Sequence, residues 1–122
     1  MTTRKIKFKA MTITCFIKYE IDPTRPELFH EYAKTWGKAI PQCGVDLIGY
    51  YAPHEGSATT AYGVYNISSL AEYEQYRERL KQSVLGIQNY QFAKENKFIL
   101  KEDRIFLKCV STPHSKRVET TL

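Results

Sequence analysis

The chain has 122 residues, 43% apolar and 25% charged, enough for one domain with its own core and without the apolar run of a membrane span. Its formal charge of +5 comes from the ends: Arg4, Lys5, Lys7 and Lys9 near the start and Lys116 and Arg117, with Glu119 against them, near the finish, while residues 11–110 balance at 12 Lys+Arg against 12 Asp+Glu. A nucleic-acid-binding domain needs clustered basic charge on its folded surface, so that class is set aside.

Residues 1–10 read as a flexible tail, and their alternation of basic and apolar residues lacks the apolar core of a signal peptide. From Thr12, Ile13, Cys15, Ile17, Tyr19 and Ile21 alternate with a more polar set, the pattern of a half-buried strand. Asp22-Pro23-Thr24 breaks it, and Pro26 suits an early helical position, where its missing N–H costs nothing. The helix expected from about Pro26 to Ile40 gathers Phe29, Tyr32, Ala33, Trp36 and Ile40 on one stripe, with Pro41 and Gly44 ending it. Val45–Ala52 and Thr59–Ile67 then read as a hairpin about the turn Pro53-His54-Glu55-Gly56-Ser57. Ser69 with Glu72 forms a capping box for a second helix running to about Ser83. Gly86 is expected to interrupt that helix, with a further short helical segment over Gln88–Lys97. Leu100–Val110 closes the domain as a strand with Ile105, Leu107 and Cys109 on one face, and residues 111–122 form a second tail.

The order over residues 11–110 is β-α-β-β-α-β, which right-handed crossovers arrange as a four-stranded antiparallel sheet with the helices on one face. The fold class is α+β, ferredoxin-like. The uncovered sheet face would carry Thr14, Phe16 and Lys18 from the first strand and Leu100, Phe106 and Val110 from the last. A second copy of the chain is the simplest cover for such a face, so a homodimer is expected. Cys15, Cys43 and Cys109 form an odd set without CxxC spacing; read as small apolar residues in a reducing compartment, they imply a cytoplasmic location.

Arg77 falls within the apolar sector of the second helix defined by Leu70, Tyr73, Leu80 and Val84. Such a guanidinium either anchors an anionic ligand or snorkels to the surface or an internal partner such as Glu20 or Asp46. His54, beside Glu55 in the hairpin turn, is either a general acid/base or part of an exposed polar turn. Trp36, Tyr50, Tyr62 and Tyr73 have apolar bodies and polar tips, so they can wall a ligand pocket or fill a core. Gly49 and Gly63, within strands, leave room for a ligand or another backbone. No GxSxG, Walker-type loop, GxGxxG or HExxH occurs, and His30, His54 and His114 are too scattered for a metal site. No cofactor is implied, since no histidine falls on a pocket-facing helical stripe where it could ligate haem iron.

The segments ITCFIKYEID, EYAKTWGKAIP, DLIGYYAPHEG, AYGVYNISSLAEYEQYR and FILKEDRIFL, in that order and spacing, resemble the NIPSNAP family within the dimeric α/β-barrel superfamily. The resemblance implies a ferredoxin-like monomer whose sheet packs on a partner's to close a barrel. Superfamily relatives include cofactor-independent monooxygenases, haem-degrading enzymes and isomerases, while the NIPSNAP branch has no settled activity. The function expected is a homodimer binding a small aromatic or anionic metabolite in a pocket of each subunit. Trp36, Tyr50, Tyr62, Tyr73 and Arg77 would line that pocket and His54 would be the acid/base. Two alternatives stand beside it: a cofactor-independent monooxygenase or isomerase, and a non-enzymatic interaction or assembly module.

Overall fold

The computed structural model describes residues 13–111. The tail expected at 1–10, residues 11 and 12 of the domain, and the second tail from 112 onward lie outside the described residues. The elements are β1 (Ile13–Ile21), α1 (Pro26–Gln42), β2 (Asp46–Tyr51), β3 (Thr60–Ile67), α2 (Leu70–Lys81), α3 (Val84–Asn96) and β4 (Ile99–Lys108). They form one sheet of order β2-β3-β1-β4, antiparallel throughout, which is the ferredoxin-like arrangement. No helix among the described residues is long and apolar enough to cross a membrane.

Alternation in β1 sends Cys15, Ile17, Tyr19 and Ile21 under the helices, all buried. Asp22 ends the strand and shapes the next turn. Its carboxylate accepts from the Thr24 hydroxyl at 2.6 Å, the Thr24 N–H at 2.9 Å and Arg25 Nε at 3.0 Å. Those hydrogen bonds and the Arg25 charge hold the Asp22 carboxyl down at about 2. Helix α1 lays Phe29, Tyr32, Trp36, Ala39 and Ile40 into the core and continues through Pro41, two residues past the expected end. Gly44 then turns the chain at φ +87°, and Arg79 Nε fastens the turn by donating to the Cys43 carbonyl at 2.8 Å.

The helical region after β3 differs from the sequence expectation. Ser69 Oγ accepts the Glu72 N–H at 3.0 Å and caps α2, as its sequence suggests. The break falls at Gln82 and Ser83, however, and Gly86 lies inside the first turn of α3. Ser83 Oγ makes the second cap by accepting the Gly86 N–H at 3.1 Å. Gly86 is there for closeness: a Cβ at that position would stand 2.8 Å from the Leu80 carbonyl oxygen. Asn89, buried on α3, ties that helix to α1 by donating to the Tyr32 carbonyl at 3.0 Å.

The last strand also departs from expectation. In antiparallel sheets directly opposed residues share a face, and β4 sets Phe106 opposite Cys15, Arg104 opposite Ile17 and Glu102 opposite Tyr19. Those three therefore face the helices, with the Phe106 ring 4.8 Å from that of Tyr73. Ile105 and Leu107 lie opposite Phe16 and Thr14, on the open face. Apolar alternation assigned the two faces of this strand the other way round. It failed because the inner face of β4 borders a cavity, where charged side chains can stand.

Replacing Gly86 with alanine is expected to cost about 1–3 kcal/mol, because its Cβ meets a backbone oxygen that cannot rotate away. Urea unfolding measures it, and an unchanged midpoint would mean that α2 and α3 separate freely.

Candidate functional site

Between the inner sheet face and the helices lies a cavity of about 270 Å³. Ile17 and Tyr19 of β1, Tyr50 of β2 and Tyr65 of β3 form the sheet side. Tyr32, Trp36 and Ile40 come from α1; Tyr73, Tyr76, Arg77 and Leu80 from α2; Tyr90, Ala93 and Lys94 from α3. Ile99, Glu102 and Arg104 of β4 complete it. Tyrosine is the commonest residue of the wall, so phenols offer it apolar rings with hydrogen-bonding tips.

The rings support one another. Tyr19 packs its ring against Phe29, Tyr32 and Tyr50 at centroid distances of 5.4, 6.0 and 6.1 Å. The Tyr19 and Tyr50 hydroxyl oxygens lie 3.1 Å apart, within hydrogen-bonding distance. Tyr50 sits opposite Gly63 and folds over it; a Cβ on Gly63 would stand 2.6 Å from the Tyr50 ring. The space left by that glycine is thus filled by a tyrosine rather than a ligand. Gly49 serves Tyr51 likewise, with a Cβ there coming 3.0 Å from the Tyr51 hydroxyl.

Burial makes the phenols poor acids. It pushes Tyr32 up to about 12 and lifts Tyr19, Tyr50, Tyr65 and Tyr76 as well. All stay protonated at neutral pH, and apart from the one proton shared between Tyr19 and Tyr50 they are donors for a ligand oxygen. Trp36, 3% exposed, adds a further donor: its Nε1 is buried and lacks a hydrogen-bond partner among the described residues. The Tyr32 hydroxyl is the neighbouring acceptor, near enough for the indole N–H to offset part of the rise that burial causes in that phenol, but outside hydrogen-bonding geometry. An unpartnered buried donor of this kind costs about 1–3 kcal/mol.

Charge enters from β4 and the helix edges. Arg104 Nη2 donates to Glu102 at 2.8 Å and Nη1 to the Tyr73 hydroxyl at 3.4 Å, with both charged side chains 34% exposed. Burial opposes the Arg104 charge, but the surrounding oxygens, those of Tyr73 and Glu102 foremost, outweigh it and hold the guanidinium above its ordinary value. Arg77 is exposed at the cavity edge, its guanidinium carbon 5.8 Å from the centre of the Tyr73 ring. Cys15 lies buried beneath Arg104, and burial pushes its thiol up. Cys15, Cys43 and Cys109 are all free.

Of the residues singled out from sequence, Trp36, Tyr50, Tyr73 and Arg77 meet at this cavity. Tyr62 does not: it faces the open side of the sheet, its ring 5.3 Å from that of Phe16. His54 lies in the exposed loop between β2 and β3, apart from the cavity wall. Glu102 and Arg104 escaped notice because charged residues alternating with apolar ones in a strand read as a solvent face. Tyr32, one turn from Trp36 on the same helical stripe, carried a usable signal.

The NIPSNAP family model matches residues 14–113. The chain belongs to the NIPSNAP family. Solved NIPSNAP structures share its fold. A family protein of unknown function from Agrobacterium tumefaciens superposes with a TM-score of 0.69 at 14% identity, over 88% of this chain and 96% of that one. An uncharacterized NIPSNAP-like domain protein from Burkholderia xenovorans gives 0.66 at 16% identity, over 84% and 88%. A Nitrosomonas europaea protein described as a candidate antibiotic biosynthesis monooxygenase gives 0.59 at 8% identity, over 86% and 96%. At these identities the likeness is one of fold. No curated protein matches the chain.

Gly63→Ala is expected to lower stability by about 1–3 kcal/mol, since the ring it would displace is held by Tyr19, Phe29 and Tyr32. Near-ultraviolet circular dichroism should change with it. A wild-type spectrum and melting temperature would show that Tyr50 has room to move.

Proposed function

We propose that this NIPSNAP domain binds a small aromatic or anionic molecule in the cavity of each subunit of a homodimer. One observation carries the binding reading: a tyrosine-walled cavity whose lining includes a buried, unpartnered indole N–H. A ligand oxygen would satisfy that donor, which the neighbouring Tyr32 hydroxyl leaves out of hydrogen-bonding geometry. The cavity lies just below the range of about 300–1,000 Å³ usual for drug-sized ligands, which favours a one- or two-ring molecule. Thermal-shift screening of a metabolite library is the direct test. Ligands should raise the melting temperature by binding only the native state, and no shift across aromatic and anionic compounds would sink the reading.

The homodimer is supported by the outer sheet face, where Phe16, Tyr62, Ile105 and Leu107 gather and where Ile105 and Leu107 are 52% and 44% exposed. Such a face left to water is an association liability, and a second copy presents a matching one. Ile105→Asp should shift the protein toward monomer in analytical ultracentrifugation, with helical content retained. An unchanged sedimentation coefficient would remove this face from the dimer.

An enzymatic version is favoured by one feature, the presence of Glu102 at the cavity wall. A cofactor-independent oxygenase or isomerase needs a base to deprotonate its substrate and donors to hold the resulting oxyanion. Glu102 and His54 compete for the base, and position favours Glu102, with the phenols and Arg104 as donors. If the screen yields a substrate, Glu102→Gln should lower kcat about 100-fold or more while His54→Ala leaves it within about twofold. The reverse pattern would return the role to His54.

A further inference from the structure

We infer that the molecule taken by this cavity combines a flat aromatic body with one carboxylate, and that it enters body first with its acid group at the β4 side. This rests on the binding reading above and adds the chemical class and the orientation. The charges of the lining are unbalanced: Arg77, Lys94 and Arg104 stand against Glu102 alone. Arg77 and Lys94 are exposed, and Arg104 keeps 34% of its side chain in solvent, so all three cations stand at the mouth of the cavity. Arg104 stands over the aromatic wall, where its charge is felt by Tyr50, Tyr76 and Tyr90.

A guanidinium has five N–H donors in a planar fork, and Glu102 and Tyr73 engage only part of it. The remaining edge suits a carboxylate better than a neutral group, because charge-assisted pairs are the stronger ones. Away from that charge the wall is made of phenol rings and the Trp36 indole, which favour a flat apolar body over a branched or sugar-like one. The Trp36 N–H remains available for an acceptor oxygen on that body. Glu102 meanwhile occupies the same guanidinium the ligand's acid would use, so it acts as an internal competitor.

Trp36 is the single tryptophan of the chain and lines the cavity, so its fluorescence reports occupancy. The test titrates the 122-residue chain with benzoate, 4-hydroxybenzoate and 2-naphthoate, each beside its carboxamide and its aminomethyl counterpart. The acids should quench Trp36 saturably and bind about tenfold or more tighter than their amides. Arg104→Gln should abolish the preference for acid over amide while leaving the amide affinity in place. Glu102→Gln should strengthen acid binding severalfold by releasing the guanidinium. Should Arg104→Gln fail to fold, Arg77→Gln must reduce the same preference in part. Amides or amines that match the acids would overturn the assignment and leave the binding reading standing. No saturable quenching by any of the three series would overturn both.

Discussion

The pairing of β4 with β1 is the constraint on which both faces of the sheet depend. A one-residue slip in register exchanges every side chain of a strand between faces. Slipped, β4 would carry Glu102, Arg104 and Phe106 to the outside and turn Lys101, Asp103, Ile105 and Leu107 under the helices. The observed register, with Ile17 opposite Arg104 and Phe16 opposite Ile105, does the opposite. It places an ion pair beside the tyrosines and an apolar strip on the open face. The polar cavity and the open apolar face thus come from one choice of register.

The cavity is polar without being charged over most of its wall. Its phenols stay neutral because burial penalises their anions, and several are held by ring contacts on more than one side. Buried neutral donors interact with a ligand oxygen more strongly than the same groups would in water. The charged groups are Arg77, Lys94, Glu102 and Arg104, and of these Arg104 is a permanent cation steadied by Glu102 and Tyr73.

The sequence made the architecture legible wherever one face of an element met a dry core. The alternation in β1, the stripe on α1 and the Ser69 cap all led to the right elements, and the ferredoxin-like order followed. Sites were harder. Trp36, Tyr50 and Tyr73 could be placed because they lie on faces that are apolar as a whole, and Arg77 because it interrupts one. Tyr62 was misplaced by one strand face: it alternates with the inward Ala61 and Gly63, whose small side chains gave no hint of depth. Gly86 looked like a helix breaker because sequence cannot separate a glycine needed for conformation from one needed for closeness. Arg104 and Glu102 had no local signature, since only pairing with a strand some ninety residues earlier decides which way they face.

That long separation also governs when the cavity comes into being. β1 and β4 bracket the described fold, and the Glu102–Arg104 wall exists only after the closing strand has docked beside the opening one. Contacts so distant along the chain form late, after the loop-closure entropy has been met. During synthesis the helices and the β2–β3 hairpin emerge before β4, so any intermediate in which β4 has yet to dock lacks the Glu102–Arg104 wall. A molecule that fits the finished cavity has no complete site on that intermediate. Its binding would therefore act as a late clamp on the growing protein, rewarding only chains whose final strand has found its place.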